Sequence, residues 1–123
     1  MTKVSYLNKQ NTDKEIYDSL HPLVAEWFKT KFKGFTEAQK YSLVHIKNRK
    51  NILISSPTGS GKTLSAFASV LSYLISLAEK NELEEKVYAI YISPLKALSS
   101  DINVNLLTPL AQIREIADRK SVV

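Results

Sequence analysis

Residues 55–63 read Ser-Ser-Pro-Thr-Gly-Ser-Gly-Lys-Thr and follow the apolar run Ile52-Leu53-Ile54. No other stretch constrains the fold as tightly. An apolar run, a Gly/Ser-rich loop and then Lys-Thr predict a strand, a phosphate-binding turn and a helix start, in that order. Gly59 and Gly61 can take backbone angles that bring amide N–H groups close to an anion with no Cβ in the way. The helix starting near Gly61 adds unpaired donors and its dipole. Lys62 is expected to reach the β- and γ-phosphates, and Thr63 to place its hydroxyl on Mg²⁺. Lys62 and Thr63 are thus the candidate catalytic pair, with Thr63 as the metal ligand. Ser56, Pro57, Thr58, Gly59, Ser60 and Gly61 form the rest of the phosphate site. The Thr58 hydroxyl either bonds phosphate or caps the loop. The pattern usually opens on glycine; here Ser56 holds that place.

Composition bounds the rest. The chain has 123 residues, the size of one domain or a piece of one. It has no cysteine, which removes disulfides and cysteine-based zinc sites. His21 and His45 stand far apart and receive no metal or catalytic role. No apolar run is long enough to span a bilayer and no signal peptide is evident, so a cytoplasmic protein is expected. Seventeen basic residues against 12 acidic give +5, which suits a polyanion such as nucleic acid.

Periodicity orders the elements. Residues 1–15 are polar and read as a loose, disordered leader. Ile16, Leu20, Leu23, Val24, Trp27 and Phe28 have helical spacing, broken or restarted at Pro22. Thr36 is a good N-cap for a helix from Glu37 to about Lys47. A longer helix from Gly61 to about Lys80 carries Leu64, Phe67, Ala68, Leu71, Leu74 and Ile75 on one face. Its other face shows Ser65, Ser69, Ser72 and Ser76 with no charge, which predicts cover on more than one side. Val87 to Ile92 reads as a strand buried on both faces. Ser93-Pro94 starts another helix, which Thr108-Pro109 breaks or restarts. Ser121-Val122-Val123 reads as the first step of a third strand. This alternation predicts an α/β fold: a parallel sheet with right-handed crossover helices, preceded by two helices.

Two further segments carry chemistry. In Phe35-Thr36-Glu37-Ala38-Gln39 the Gln39 amide offers a donor and an acceptor that match the N6/N7 edge of adenine. Phe35 and Trp27 would buttress it or stack nearby. In Ser93-Pro94-Leu95-Lys96 a helix start and a lysine lie at the carboxyl end of the second strand, where open α/β sheets bind ligands. Pro94, Leu95 and Lys96 suit a nucleic-acid phosphate.

Together these segments resemble the opening of a superfamily 2 helicase, in its first RecA-like ATP-binding domain. Phe35 to Gln39 looks like the Q motif, Ser56 to Thr63 like motif I (the Walker A loop), and Ser93 to Leu98 like motif Ia. Tyr91-Ile92-Ser93-Pro94-Leu95-Lys96-Ala97-Leu98 is most similar to the large helicase-related (Lhr) family. Leu20 to Val24, Trp27-Phe28 and Ser55 to Phe67 also look like that family's opening. The resemblance covers roughly residues 16–120. Lys96 stands where many members have arginine, Ser99-Ser100 where asparagine is common, and the Q-motif proline is absent.

The resemblance implies ATP and Mg²⁺ as cofactors and hydrolysis coupled to movement on nucleic acid, DNA rather than RNA. It also implies that residues 16–123 are a partial domain, cut before the family's Asp-Glu-x-His motif. Activity then requires the remaining helicase, including the second RecA-like domain. Two other classes share the loop: a P-loop kinase or non-helicase ATPase, and a non-catalytic nucleotide- or nucleic-acid-binding module.

Overall fold

The computed structural model describes residues 3–93, 100 and 102–121. The first helix, α1 (Asp13–Ser19), starts at a reciprocal cap. The Glu15 amide donates to Thr12 Oγ1 at 3.2 Å, and the Thr12 amide donates to Glu15 Oε1 at 3.0 Å. These bonds satisfy two donors that the helix start leaves open. The first of them in strength, from the Thr12 backbone, holds the Glu15 carboxyl below its ordinary value of 4.5. A group whose folded pKa is depressed stabilises the fold above its unfolded pKa, and that contribution is lost as pH falls through the folded one. The first turn of α1 is therefore expected to fray as pH drops below 4.5, followed as a loss of helical circular dichroism. Glu15→Gln keeps the cap and removes this titration, so it should lose less helical signal over the same range.

Leu20 ends α1, and α2 (Pro22–Lys31) follows at once. His21 caps it: the Leu23 amide donates to His21 Nδ1 at 3.1 Å. The other ring nitrogen, Nε2, lies 2.8 Å from Glu79 Oε2. Gly34 separates α2 from α3 (Glu37–Lys47), and the loop and α4 (Lys62–Glu79) come next. Beyond the second apolar segment, Asn103–Leu107 makes one π-helical turn, which leads into α5 (Thr108–Ser121). The wide turn has a local cause. Pro109 has no N–H for the carbonyl four residues back, and its ring would clash with it.

The core is a helix–helix core. Ile16, Leu20, Val24, Trp27, Phe28, Phe35, Leu43, Leu64, Ala68, Leu71, Ile113 and Ile116 form one buried cluster. It is centred on α2, with α3 packed on α4 and α5 packed on α2. Trp27 Nε1 donates to Gln112 Oε1 at 2.7 Å and so joins α2 to α5.

The uncharged serine face of α4 is covered, as its composition predicts: Ser65, Ser69 and Ser72 are buried. Small side chains let neighbouring backbone come close. Ser69 Oγ donates to Ser65 O at 2.8 Å and lies 3.4 Å from Leu43 O of α3. The His21 amide donates to Ser72 Oγ at 3.1 Å.

The parallel sheet expected from the sequence is not formed. Among the described residues no strand occurs at Ile52–Ile54 or at Val87–Ile92; Ser121 closes α5, and Val122 and Val123 of the anticipated third strand lie outside the described residues. No backbone hydrogen bond joins the two runs among these residues. A strand exists only by pairing its backbone with a neighbour, and here neither run has one. What remains is one-sided packing. Tyr88 lies against Tyr73 and Tyr91 against Phe67, with ring centroids 6.3 Å and 5.2 Å apart. Other residues of the two runs are bare: Leu53 is 94% exposed, Ile90 80% and Ile92 89%. The expected burial of Val87–Ile92 on both faces is therefore also overturned.

Candidate nucleotide site

Helix α4 begins at Gly61 with a left-handed backbone, φ +82°, and no side chain caps it. Gly59 is left-handed too, at φ +84°. Two such residues flanking Ser60 turn the chain sharply before α4. This is the local geometry by which successive backbone N–H groups form an anion-binding concavity.

The loop is tied to the start of α3 by two side chains. Thr36 Oγ1 donates to Ser60 O at 2.5 Å while accepting from the Gln39 amide at 3.2 Å. Gln39 Oε1 accepts from the Thr36 amide at 2.9 Å, and Gln39 Nε2 lies 3.4 Å from Gly61 O. Gly61 O also accepts from the Ser65 amide at 3.1 Å and Ser65 Oγ at 3.2 Å. In a trans peptide the C=O and the following N–H point in opposite directions. Holding the Ser60 and Gly61 carbonyls toward α3 and α4 therefore turns the Gly61 and Lys62 N–H groups the other way.

The loop closes on itself at its neck. Lys62 Nζ donates to Ser56 O at 2.7 Å, and the Ser56 and Ser60 hydroxyls are 2.6 Å apart. Lys62 is the one charged side chain between Asn51 and Ala78, so its charge has no neighbouring carboxylate along this stretch. An ammonium has three donors, and one bond to Ser56 O leaves others for phosphate oxygens. Thr63 Oγ1 makes no hydrogen bond among the described residues. No group of His, Asp and Glu among those residues could hold a metal ion. A Mg²⁺ ion here would rely on the Thr63 hydroxyl together with phosphate oxygens.

The residues anticipated for the nucleotide site are all among the described ones, though not all come together. Ser56, Ser60, Gly61, Lys62 and Thr63 are gathered at the loop, with Pro57, Thr58 and Gly59 exposed on its outer turn. Gln39 joins them but is only 3% exposed, and both its amide atoms already have partners. Phe35 does not join them. Its ring lies in the core, 4.7 Å from Phe28 and 4.8 Å from Tyr17. Trp27 is also a core residue. Pro94, Leu95 and Lys96 lie outside the described residues. Thr36 and Ser65 had no site role in the sequence reading. The spacing Thr36-x-x-Gln39 is that of a reciprocal helix cap, a signal that could have placed both at one helix start.

The DEAD/DEAH box helicase family matches residues 36–119, which takes in the Thr36–Gln39 cap, the loop and most of α5. The chain belongs to this family. It is 58% identical over 106 residues to the ATP-dependent helicase Lhr-Core of Methanothermobacter thermautotrophicus, covering 86% of this chain and 12% of that protein. It is 50% identical to the Lhr-Core helicase of Methanocaldococcus jannaschii, over 95% of this chain and 14% of that protein. It is 53% identical to the one from Saccharolobus solfataricus, over 85% of this chain and 12% of that protein. This DEAD/DEAH box chain thus spans about an eighth of the length of these three relatives. No solved structure matches it at a significant level. No helix among the described residues is long and apolar enough to cross a membrane.

Proposed function

We propose that this chain supplies the ATP-binding part of an ATP-dependent nucleic-acid helicase or translocase. The observation that carries the reading is the loop itself. Two left-handed glycines, an uncapped α4 start and Lys62 converge on one short segment. Lys62 would neutralise phosphate charge, Gly59 to Gly61 would offer amide donors, and Thr63 would hold Mg²⁺. That ion would draw phosphate charge when bound.

Gln39 would read adenine by turning its buried amide out of its bonds to the Thr36 amide and Gly61 O as the nucleotide enters. Phe35 would act from behind, by fixing the first turn of α3. Pro94, Leu95 and Lys96 would hold a nucleic-acid phosphate, and the net charge of +5 favours that partner. DNA is the substrate we favour, in the cytoplasm. Hydrolysis and movement would require further helicase domains.

The test is titration of the chain with a fluorescent ATP analogue and Mg²⁺, beside Lys62→Ala. Charge-assisted bonds to phosphate lead us to expect about 100-fold weaker binding in the variant. Equal binding by both chains would remove Lys62 from the site and the nucleotide reading with it.

A further inference from the structure

Ser56 has both of its acceptor groups committed inside the loop. Its carbonyl receives Lys62 Nζ at 2.7 Å, and its hydroxyl meets that of Ser60 at 2.6 Å, where either can donate. Ser60 is also held elsewhere. Its amide donates to Pro57 O at 3.2 Å, and its carbonyl accepts from Thr36 Oγ1 at 2.5 Å. Ser60 stands between Gly59 and Gly61, the two residues with the least backbone restraint. It is therefore the residue between the two glycines whose side chain can be gripped, and Ser56 grips it. The usual glycine at position 56 would have no side chain to do so.

We propose that Ser56 is a positioning residue for nucleotide binding. Its hydroxyl clasp on Ser60 holds the phosphate loop in its binding shape before the nucleotide arrives. The proposal rests on the nucleotide-binding reading above. The physical gain is preorganisation: a loop ordered during folding loses less entropy when ligand binds. The clasp acts through Ser60, so Ser56 need not touch the nucleotide at all.

Two readouts test it on the whole chain: binding of the Mg²⁺-loaded fluorescent ATP analogue, and amide hydrogen exchange at position 60, whose N–H donates to Pro57 O, without ligand. Ser56→Ala should weaken binding about three- to tenfold, the range expected for one net hydrogen bond. It should also speed that exchange. Ser56→Thr, which keeps a hydroxyl, should restore both. Ser60→Ala removes the same clasp from the other side and should lower the protection of the position-60 amide equally. The double variant should then bind no worse than Ser60→Ala alone.

Ser56→Ala that binds and exchanges like the unaltered chain overturns the clasp. If Lys62→Ala still loses binding in that experiment, the nucleotide reading stands without it. Faster exchange in only one of the two alanine variants also overturns the clasp. No binding by the unaltered chain overturns both.

Discussion

Gly61→Ala is expected to lower the stability of the chain by about 2–5 kcal/mol and to abolish nucleotide binding. Two costs add. At φ +82° a side chain meets the left-handed penalty of about 1–2 kcal/mol. A Cβ there would also collide with the Gln39 side-chain nitrogen and come within 3.0 Å of Gln39 Cδ. Gln39 is buried and cannot swing aside without giving up its bonds to the Thr36 amide and to Gly61 O. Overpacking of this kind adds about 1–3 kcal/mol. The same displacement would turn the Gly61 and Lys62 amides away from their present direction.

The other glycines grade the effect. Gly59→Ala, at φ +84° with open space around it, should show the backbone penalty alone. Gly34→Ala, with nothing near its Cβ, should change stability by less than about 0.5 kcal/mol. Thermal melts of the three variants check the order. Equal loss at positions 59 and 61 would mean that Gln39 yields easily.

Phe28→Ala is expected to cost about 3–5 kcal/mol, the usual range for removing a buried aromatic ring. Phe28 is fully buried on α2. Its ring lies 4.7 Å from Phe35, 4.9 Å from Phe32 and 5.7 Å from Trp27. The cavity would open beneath the residue that leads into Thr36, so loss of packing should reach the loop tie. Against a typical total stability of about 5–15 kcal/mol, this change can unfold the chain. Phe32 is 39% exposed, and Phe32→Ala should cost about 1 kcal/mol. Urea unfolding midpoints compare the two. Similar midpoints would show that the cluster around Phe28 does not hold the helices together.

Much of the candidate site could be read along the chain because its bonds are short-range. Ser56, Ser60, Gly61, Lys62 and Thr63 lie within one loop and the first turn of α4, and a nine-residue pattern contains them. The helix starts were legible for the same reason. Thr36 and Pro22 act on the residues beside them, and both sit where α3 and α2 begin. Gln39 shows the boundary. Its chemistry suggested an adenine-reading edge, yet its polar atoms first serve the α3 cap and Gly61 O, and that use depends on where α3 lies relative to the loop. Phe35 shows the opposite case: an aromatic residue chosen for stacking is taken by the core.

Identity and local form were thus set by the order of residues. The loop motif, the caps and the helical spacing act over a few positions, and family membership follows from them. The packing was settled only by the assembled helices. The apolar runs at Ile52–Ile54 and Val87–Ile92 mark chain able to pair, but a strand needs a second backbone beside it, and none of the described residues provides one. The serine face of α4 carried no sign of its partners. Folding set it against α3 and His21, where small side chains allow close approach. The same packing brought Thr36 to Ser60, 24 residues away, and so joined a helix cap to the phosphate loop.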